Sequence, residues 1–256
     1  GLKRQISLGC VIALAAALAA GVVNETSTFA ESDLPRRLPE DWTTSVLYVA
    51  LGDSTVYGVG AKTPQRTYVS QFFGRLRSVY PEARMVNLGV GGATAADVVD
   101  KQVGQAIALR PDVVTLSIGP NDITRGREVR EYERDIETIF RRLTQGTAAV
   151  VMVNLIPDLT VTPRYRGRDG AALIGKRVLL FNGALERQAR VYGVEVVDLY
   201  TPSRQEVPRR PELISADGYH PSDQGYARWA ELMWQGLKAR IAVVPADATS
   251  TQPVRR

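Results

Sequence analysis

The stretch VALGDSTVYGVG, residues 49–60, ends a run of apolar residues with the polar cluster Gly52-Asp53-Ser54. Because Gly, Asp and Ser are common turn residues, this cluster alone is compatible with the plain end of a buried strand. The other interpretation is that Ser54 is a nucleophile at the carboxyl edge of an open α/β sheet, where such sheets bind ligands. That interpretation requires a base, an acid that orients the base, and an oxyanion site elsewhere in the chain.

Short apolar runs alternate with helical patterns along the rest of the chain. Val-rich runs, each closed by Gly, Pro or Asp, predict strands at residues 46–51, 83–88, 113–118, 148–156 and 194–199. Apolar residues at helical spacing predict helices within residues 69–79, 99–107, 129–143, 178–192 and 226–237. Continuous apolar runs suit a parallel sheet covered on both faces. The pattern therefore predicts an α/β fold, a three-layer α/β/α sandwich with a five-stranded parallel sheet.

The two ends of the chain differ from this alternating region. Lys3 and Arg4 precede an apolar, Ala-rich run at residues 6–23, and small residues follow at Thr28 and Ala30. This pattern is typical of a secretory signal peptide over residues 1–30, cleaved near Ala30, with an uncleaved membrane anchor as the alternative. We expect a polar lead-in segment at 31–45, in which Trp42 packs on the domain, one catalytic domain at 46–241 and a disordered tail at 242–256.

Composition narrows the classes of function. The chain carries 32 Lys and Arg against 27 Asp and Glu, a net charge of +5, and is mildly basic. Its arginines are scattered without interleaved aromatic residues, so no nucleic-acid binding is expected, whereas an exported protein at an anionic envelope fits this charge. The single cysteine, Cys10, lies in the predicted signal peptide, and there is one histidine. We therefore expect no disulfide, no metal site and no cofactor in the mature protein.

Three further loops at the predicted sheet edge carry residues suited to chemistry. In NLGVGGAT, residues 87–94, Gly91 and Gly92 can bring bare backbone N–H groups close to a ligand. SIGPND, residues 117–122, places the amide of Asn121 at a strand tip. In SADGYHPSDQGY, residues 215–226, Asp217 can reach Nδ1 of His220 and leave Nε2 free to face a serine. Each loop taken alone also has a plain structural interpretation as a turn, a cap or a structural histidine.

The order of these motifs is more specific than any one of them. A serine after strand one, glycines after strand two, Gly-x-Asn-Asp after strand three and Asp-x-x-His before the last helix resemble the GDSL, or SGNH, family of serine esterases and lipases. The resemblance covers about residues 46–237 and implies the flavodoxin-like SGNH hydrolase fold. It also implies Ser54 as nucleophile, His220 as general base and Asp217 as the acid that orients it.

The resemblance further implies an oxyanion hole with three donors. These are the backbone N–H groups of Ser54 and Gly92 and the side chain of Asn121. Gly89 and Gly91 are close to Gly92 in register, so the glycine donor could be any of the three.

The resemblance implies a serine hydrolase that cleaves carboxylic esters through an acyl-enzyme, either an esterase or a lipase, including lysophospholipase-like enzymes. The signal-peptide pattern adds the expectation that this enzyme is secreted. One alternative is a carbohydrate or peptidoglycan O-deacetylase with the same triad, and another is a non-catalytic envelope-binding module. The expected partner is a small-molecule or envelope-derived ester substrate. The protein is expected to be a monomer and to contact a membrane only if its N-terminal segment is uncleaved. Loops 156–175 and 200–216 are expected to line an open, partly polar groove without a helical lid.

Overall fold

In the computed structural model, which describes residues 34–241, the predicted strands form a single parallel sheet of five strands. The strands are β1 Leu47–Gly52, β2 Arg84–Asn87, β3 Val113–Ser117, β4 Val150–Asn154 and β5 Glu195–Val197. Their order across the sheet is β2-β1-β3-β4-β5, the order of flavodoxin-like folds. The predicted α/β sandwich with a five-stranded parallel sheet is therefore confirmed.

Helices connect these strands and cover both faces of the sheet. Between residues 34 and 241 the α-helices are α1 Ser54–Tyr57, α2 Tyr68–Val79, α3 Ala95–Lys101, α4 Val103–Ala108, α5 Pro120–Thr124, α6 Val129–Gly146, α7 Ala171–Tyr192, α8 Tyr200–Glu206 and α9 Asp223–Lys238. The single helix predicted at 99–107 is in fact two, α3 and α4, which meet at Gln102. Residues 200–206, predicted as part of a loop, form α8. Short helices such as α8 carry too few turns to give a clear periodic pattern.

Alternate residues of each strand pack into different cores. On β1, Val49 and Leu51 belong to the core formed with α3, α4, α6 and α7, whereas Tyr48 and Ala50 belong to the core formed with α2 and α9. Successive side chains of a strand point to opposite faces, so a strand buried on both faces must be apolar at every position. This explains why the strands appear in the sequence as unbroken apolar runs.

The sheet brings the ends of β1 and β3 together. These strands are neighbours, and Gly52 at the end of β1 pairs with Ser117 at the end of β3. The loops that carry Ser54 and Asn121 therefore leave the sheet side by side. In this strand order the point between β1 and β3 is where the connections change direction, which is where such folds bind ligands.

The described part of the lead-in segment packs on the domain. The side chain of Leu38 is buried, and its backbone N–H donates to the Arg240 carbonyl at 3.0 Å. The ring of Trp42 lies 5.4 Å from that of Tyr80, as expected from the sequence. The predicted signal peptide and tail lie outside residues 34–241. None of the helices within that range is both long enough and apolar enough to cross a membrane.

Candidate active site

Ser54 is held by the sharp turn that joins β1 to α1. Asp53 caps the helix, since its Oδ1 accepts from the backbone N–H and from the hydroxyl of Thr55, each at 2.9 Å. Asp53 is 1% exposed. This burial raises the pKa of Asp53 to about 6, although the hydrogen bonds from Thr55 act in the opposite direction. The cap fixes Ser54 as the first residue of the helix, and Ser54 lines the cavity at this place.

The side chain of Gln102 holds the turn through the backbone of Gly52. Its Oε1 accepts from the Gly52 N–H and its Nε2 donates to the Gly52 carbonyl, both at 2.9 Å. These two bonds satisfy the backbone groups of Gly52 in a buried place where water cannot. Gln102 was not among the site residues predicted from the sequence. The signal in the sequence is that Gln102 lies three residues after Val99 and four before Ala106, on the apolar side of the predicted helix, where α3 and α4 now meet.

Three side chains of the site form a continuous hydrogen-bonded chain. Ser54 Oγ lies 2.9 Å from Nε2 of His220, and Nδ1 of the same ring lies 2.5 Å from Oδ2 of Asp217. Because an ionised carboxylate only accepts, the contact with Asp217 places a proton on Nδ1 and leaves the Nε2 lone pair directed at Ser54. The structure therefore brings together the three residues that the sequence assigned to a triad, although 166 positions separate the serine from the histidine.

The second oxygen of Asp217 fixes the turn that carries the histidine. Oδ1 accepts from the Ser215 hydroxyl at 2.8 Å and from the backbone N–H groups of Tyr219 and His220 at 2.8 and 2.9 Å. Partial burial opposes ionisation of Asp217, but the hydrogen bonds from His220 and these other donors outweigh it and hold its pKa below the usual range. The carboxylate is therefore ionised and fixed in orientation at neutral pH.

Donor groups from three loops surround the serine. Ser54, Gly92 and Asn121 all line one cavity, and within residues 34–241 the N–H groups of Ser54 and Gly92 have no hydrogen-bond acceptor. Asn121 Nδ2 donates to the Ala93 carbonyl at 3.0 Å, which leaves its second hydrogen available. Of the neighbouring glycines, Gly89 already donates its N–H to Asn87 Oδ1. This arrangement favours Gly92 over Gly89 as the backbone donor.

Asp122 joins two of these loops. It is fully buried, accepts from the N–H of Ala95 at the start of α3, and receives Arg127 Nη1 at 2.6 Å. Arg127 also lies 2.9 Å from Asp135 on α6. Asp122 thus holds the loop after β3 to the start of α3.

The cavity beside Ser54 has a volume of about 250 Å³. Apolar side chains form much of its wall, notably Ile156, Leu159 and Val161 after β4 and Val207 after α8. The loops 156–175 and 200–216 therefore do line the site, as expected. The same loops also place Asp158, Thr162 and Arg164 in the lining, so the cavity is partly polar as predicted. That the groove is open and has no lid stays a prediction.

Comparison with known protein families matches the part of the chain that carries these site residues. The model of the GDSL-like lipase/acylhydrolase family matches residues 50–228, which is most of the chain and spans all the site residues. The chain belongs to this family. It is accordingly a carboxylic ester hydrolase, and the alternative of a non-catalytic binding module falls away.

Relatives in the family extend over most of the chain. A GDSL-like esterase of Mycobacterium tuberculosis is 29% identical over 231 residues, which are 85% of this chain and 69% of that protein. Esterase TesA of Pseudomonas aeruginosa is 23% identical over 74% of this chain and 87% of its own. Among solved structures, the acetylxylan esterase Axe2 of Geobacillus stearothermophilus superposes with a TM-score of 0.61 at 21% identity, covering 76% of this chain and 94% of that one. At such identity the likeness to Axe2 establishes the fold.

Proposed function

We propose that this GDSL-family esterase cleaves its substrate through an acyl-enzyme formed on Ser54. The observation that carries the proposal is the alignment of Ser54 Oγ, both ring nitrogens of His220 and the Asp217 carboxylate within hydrogen-bonding distance. Geometry of this kind activates a hydroxyl that is otherwise a weak nucleophile. Asp217 acts as a positioning residue, since it touches His220 and not the ester.

The proposed steps use only groups of the site. His220 Nε2 takes the Ser54 proton while Oγ attacks the ester carbonyl, and the N–H groups of Ser54 and Gly92 with the amide of Asn121 stabilise the oxyanion. Collapse of this intermediate breaks the ester bond, and the leaving alkoxide takes the proton from Nε2. A water molecule then gives its proton to Nε2 and attacks the acyl carbon. Release of the acid returns the proton to Ser54.

Asn121→Ala tests the oxyanion assignment. We expect kcat to fall about 10² to 10³-fold with a smaller change in KM, because the amide acts on the charge that develops in the transition state. Steady-state kinetics at one pH measures this effect. Thr124→Ala, an exposed change on the same short helix α5, is the matched control and should leave kcat unchanged. If Asn121→Ala also left kcat unchanged, the residue would only tie its loop to the Ala93 carbonyl.

The substrate class is tested with purified protein and p-nitrophenyl esters of increasing acyl length, assayed beside acetylated xylo-oligosaccharides. The sugar esters are included because a solved structure with the same fold is an acetylxylan esterase. We expect turnover of the aryl esters that Ser54→Ala abolishes and Ser78→Ala, an exposed serine on α2, does not. Hydrolysis confined to the acetylated sugars would favour the deacetylase alternative.

We also propose that the protein is exported and acts in the cell envelope or outside the cell. The basis is the signal-peptide pattern of residues 1–30, with Lys3 and Arg4 before the apolar run. Mass spectrometry of protein recovered from the envelope and the medium of expressing cells tests this proposal. A full-length chain found only in the cytoplasm would reject it.

A further inference from the structure

A second cavity, of about 80 Å³, adjoins the one beside Ser54. Both cavities are lined by the same six residues, which form a shared wall: Pro157, Ser203, Val207, Ile214, Pro221 and Trp229. Val207 directly follows α8 and contributes an apolar side chain to this wall. The second cavity thus lies on the other side of this shared wall from the cavity that contains Ser54.

The second cavity offers little to a polar ligand. Its remaining lining consists chiefly of apolar side chains, including Leu199 at the start of α8, Leu213 and, on α9, Leu232. Its two charged residues already satisfy each other, since Arg228 donates to the Glu206 carboxylate at 2.9 to 3.2 Å. Within residues 34–241 the buried indole N–H of Trp229 has no hydrogen-bond partner, so this wall offers a ligand one such donor. Most hydroxyl groups of a bound sugar would still lose hydrogen bonds to water without replacing them, whereas an alkyl chain gains by leaving water.

The order of product release decides which half of an ester this place suits. In an acyl-enzyme mechanism the alcohol departs first, while the acyl group stays on Ser54 until water arrives. An apolar cavity next to Ser54 can hold the acyl chain through both steps, whereas the alcohol needs a binding place only for the first. The ion pair between Glu206 and Arg228 links α8 to α9 at this cavity, and it therefore helps to fix the walls that such a chain would meet.

We propose that the two cavities form one acyl-binding slot, in which the chain of the substrate passes Ser54, displaces the side chain of Val207 and ends beside Leu232. This inference rests on the proposed acyl-enzyme and adds its substrate class: esters of unbranched acids of medium length, in preference to acetate. Val207 and Leu232 are the residues that determine chain length. Leu232 lines only the second cavity and is no part of the catalytic site.

The test compares kcat/KM across p-nitrophenyl esters from acetate to dodecanoate. For the wild type we expect a rise of up to about fourfold per added methylene until the slot is filled, which corresponds to about 0.8 kcal/mol per buried methylene. Leu232→Phe fills the second cavity and should lower kcat/KM about tenfold for the longest preferred ester, leaving acetate unchanged. Leu232→Met, of similar volume, is the matched control. Val207→Ala removes part of the shared wall and should move the preferred acyl length towards longer chains.

Three outcomes would overturn the inference or its basis in separate ways. An identical chain-length profile for the wild type, Leu232→Phe and Val207→Ala would show that the second cavity binds no part of the acyl chain. A response to alcohol length in a series of alkyl acetates, without one to acyl length, would place the alcohol in the slot instead. If the wild type showed no ester hydrolysis that depends on Ser54, the proposed function itself would be rejected.

Discussion

Replacing Ser54 or His220 by alanine is expected to lower kcat/KM for ester hydrolysis by about 10⁴-fold or more in each case. The two side chains are joined by a 2.9 Å hydrogen bond and act on the same proton. The double variant should therefore be little slower than either single variant, because removing the second partner of a unit that no longer works costs little more. Circular dichroism and thermal unfolding should show that all three variants fold.

Asp217→Asn gives a sharper version of the same experiment. Three donors already hold Oδ1 of residue 217, so the new amide nitrogen would take the place of Oδ2 and face His220 Nδ1. Nδ1 would then have to accept, which moves the ring proton to Nε2 and removes the lone pair that Ser54 needs. We expect a loss of about 10³ to 10⁴-fold in kcat. Multiplicative losses in the Ser54/His220 double variant, or normal activity of Asp217→Asn, would contradict the triad.

Gly52→Ala is expected to destabilise the fold by at least about 4 kcal/mol, a size reserved for severe structural conflicts. Gly52 has a φ of +145°, and a Cβ atom there would lie 2.0 Å from the Ser117 carbonyl oxygen and 2.6 Å from Val56 Cγ2. The carbonyl belongs to the neighbouring strand, so that it cannot move without breaking the sheet. Urea unfolding measures the effect, with loss of soluble protein as the extreme result.

The control is the same change at Gly74. This glycine lies on α2, is exposed, and a Cβ atom added to it would meet nothing within 4 Å. Alanine is the better helix former, so Gly74→Ala should stabilise the protein by about 0.5 to 1 kcal/mol. Opposite signs for one chemical substitution would separate backbone conflict at Gly52 from the general effect of adding a methyl group. Equal unfolding midpoints for Gly52→Ala and the wild type would contradict the geometry of the turn.

Local patterns made much of this protein predictable. The apolar runs gave the five strands because residues buried on both faces of a parallel sheet must be apolar at successive positions. The meeting of Ser54 and Asn121 was predictable because parallel strands end at a common edge, so that residues that each follow a strand come together. His220, which precedes α9, was predicted from its motif with Asp217 and from the family resemblance. The boundaries were less accurate. The strand predicted at 148–156 stops at Asn154, and its last apolar residue, Ile156, lines the cavity beside Ser54 instead.

The sequence by itself determined the fold class, because apolar periodicity is a property of neighbouring residues. The order of its motifs predicted Ser54, His220 and Asp217 as a triad through the family resemblance. Only the tertiary structure shows the hydrogen bonds between Gln102 and Gly52, which join residues 50 positions apart. It also decided in favour of Gly92 over Gly89, since Asn87 occupies the N–H of Gly89. The two cavities could not be predicted either, because the wall at Val207 exists only where α8, α9 and the segment after β4 pack together. Side-chain contacts across such distances depend on packing in three dimensions, and a linear pattern carries no record of them.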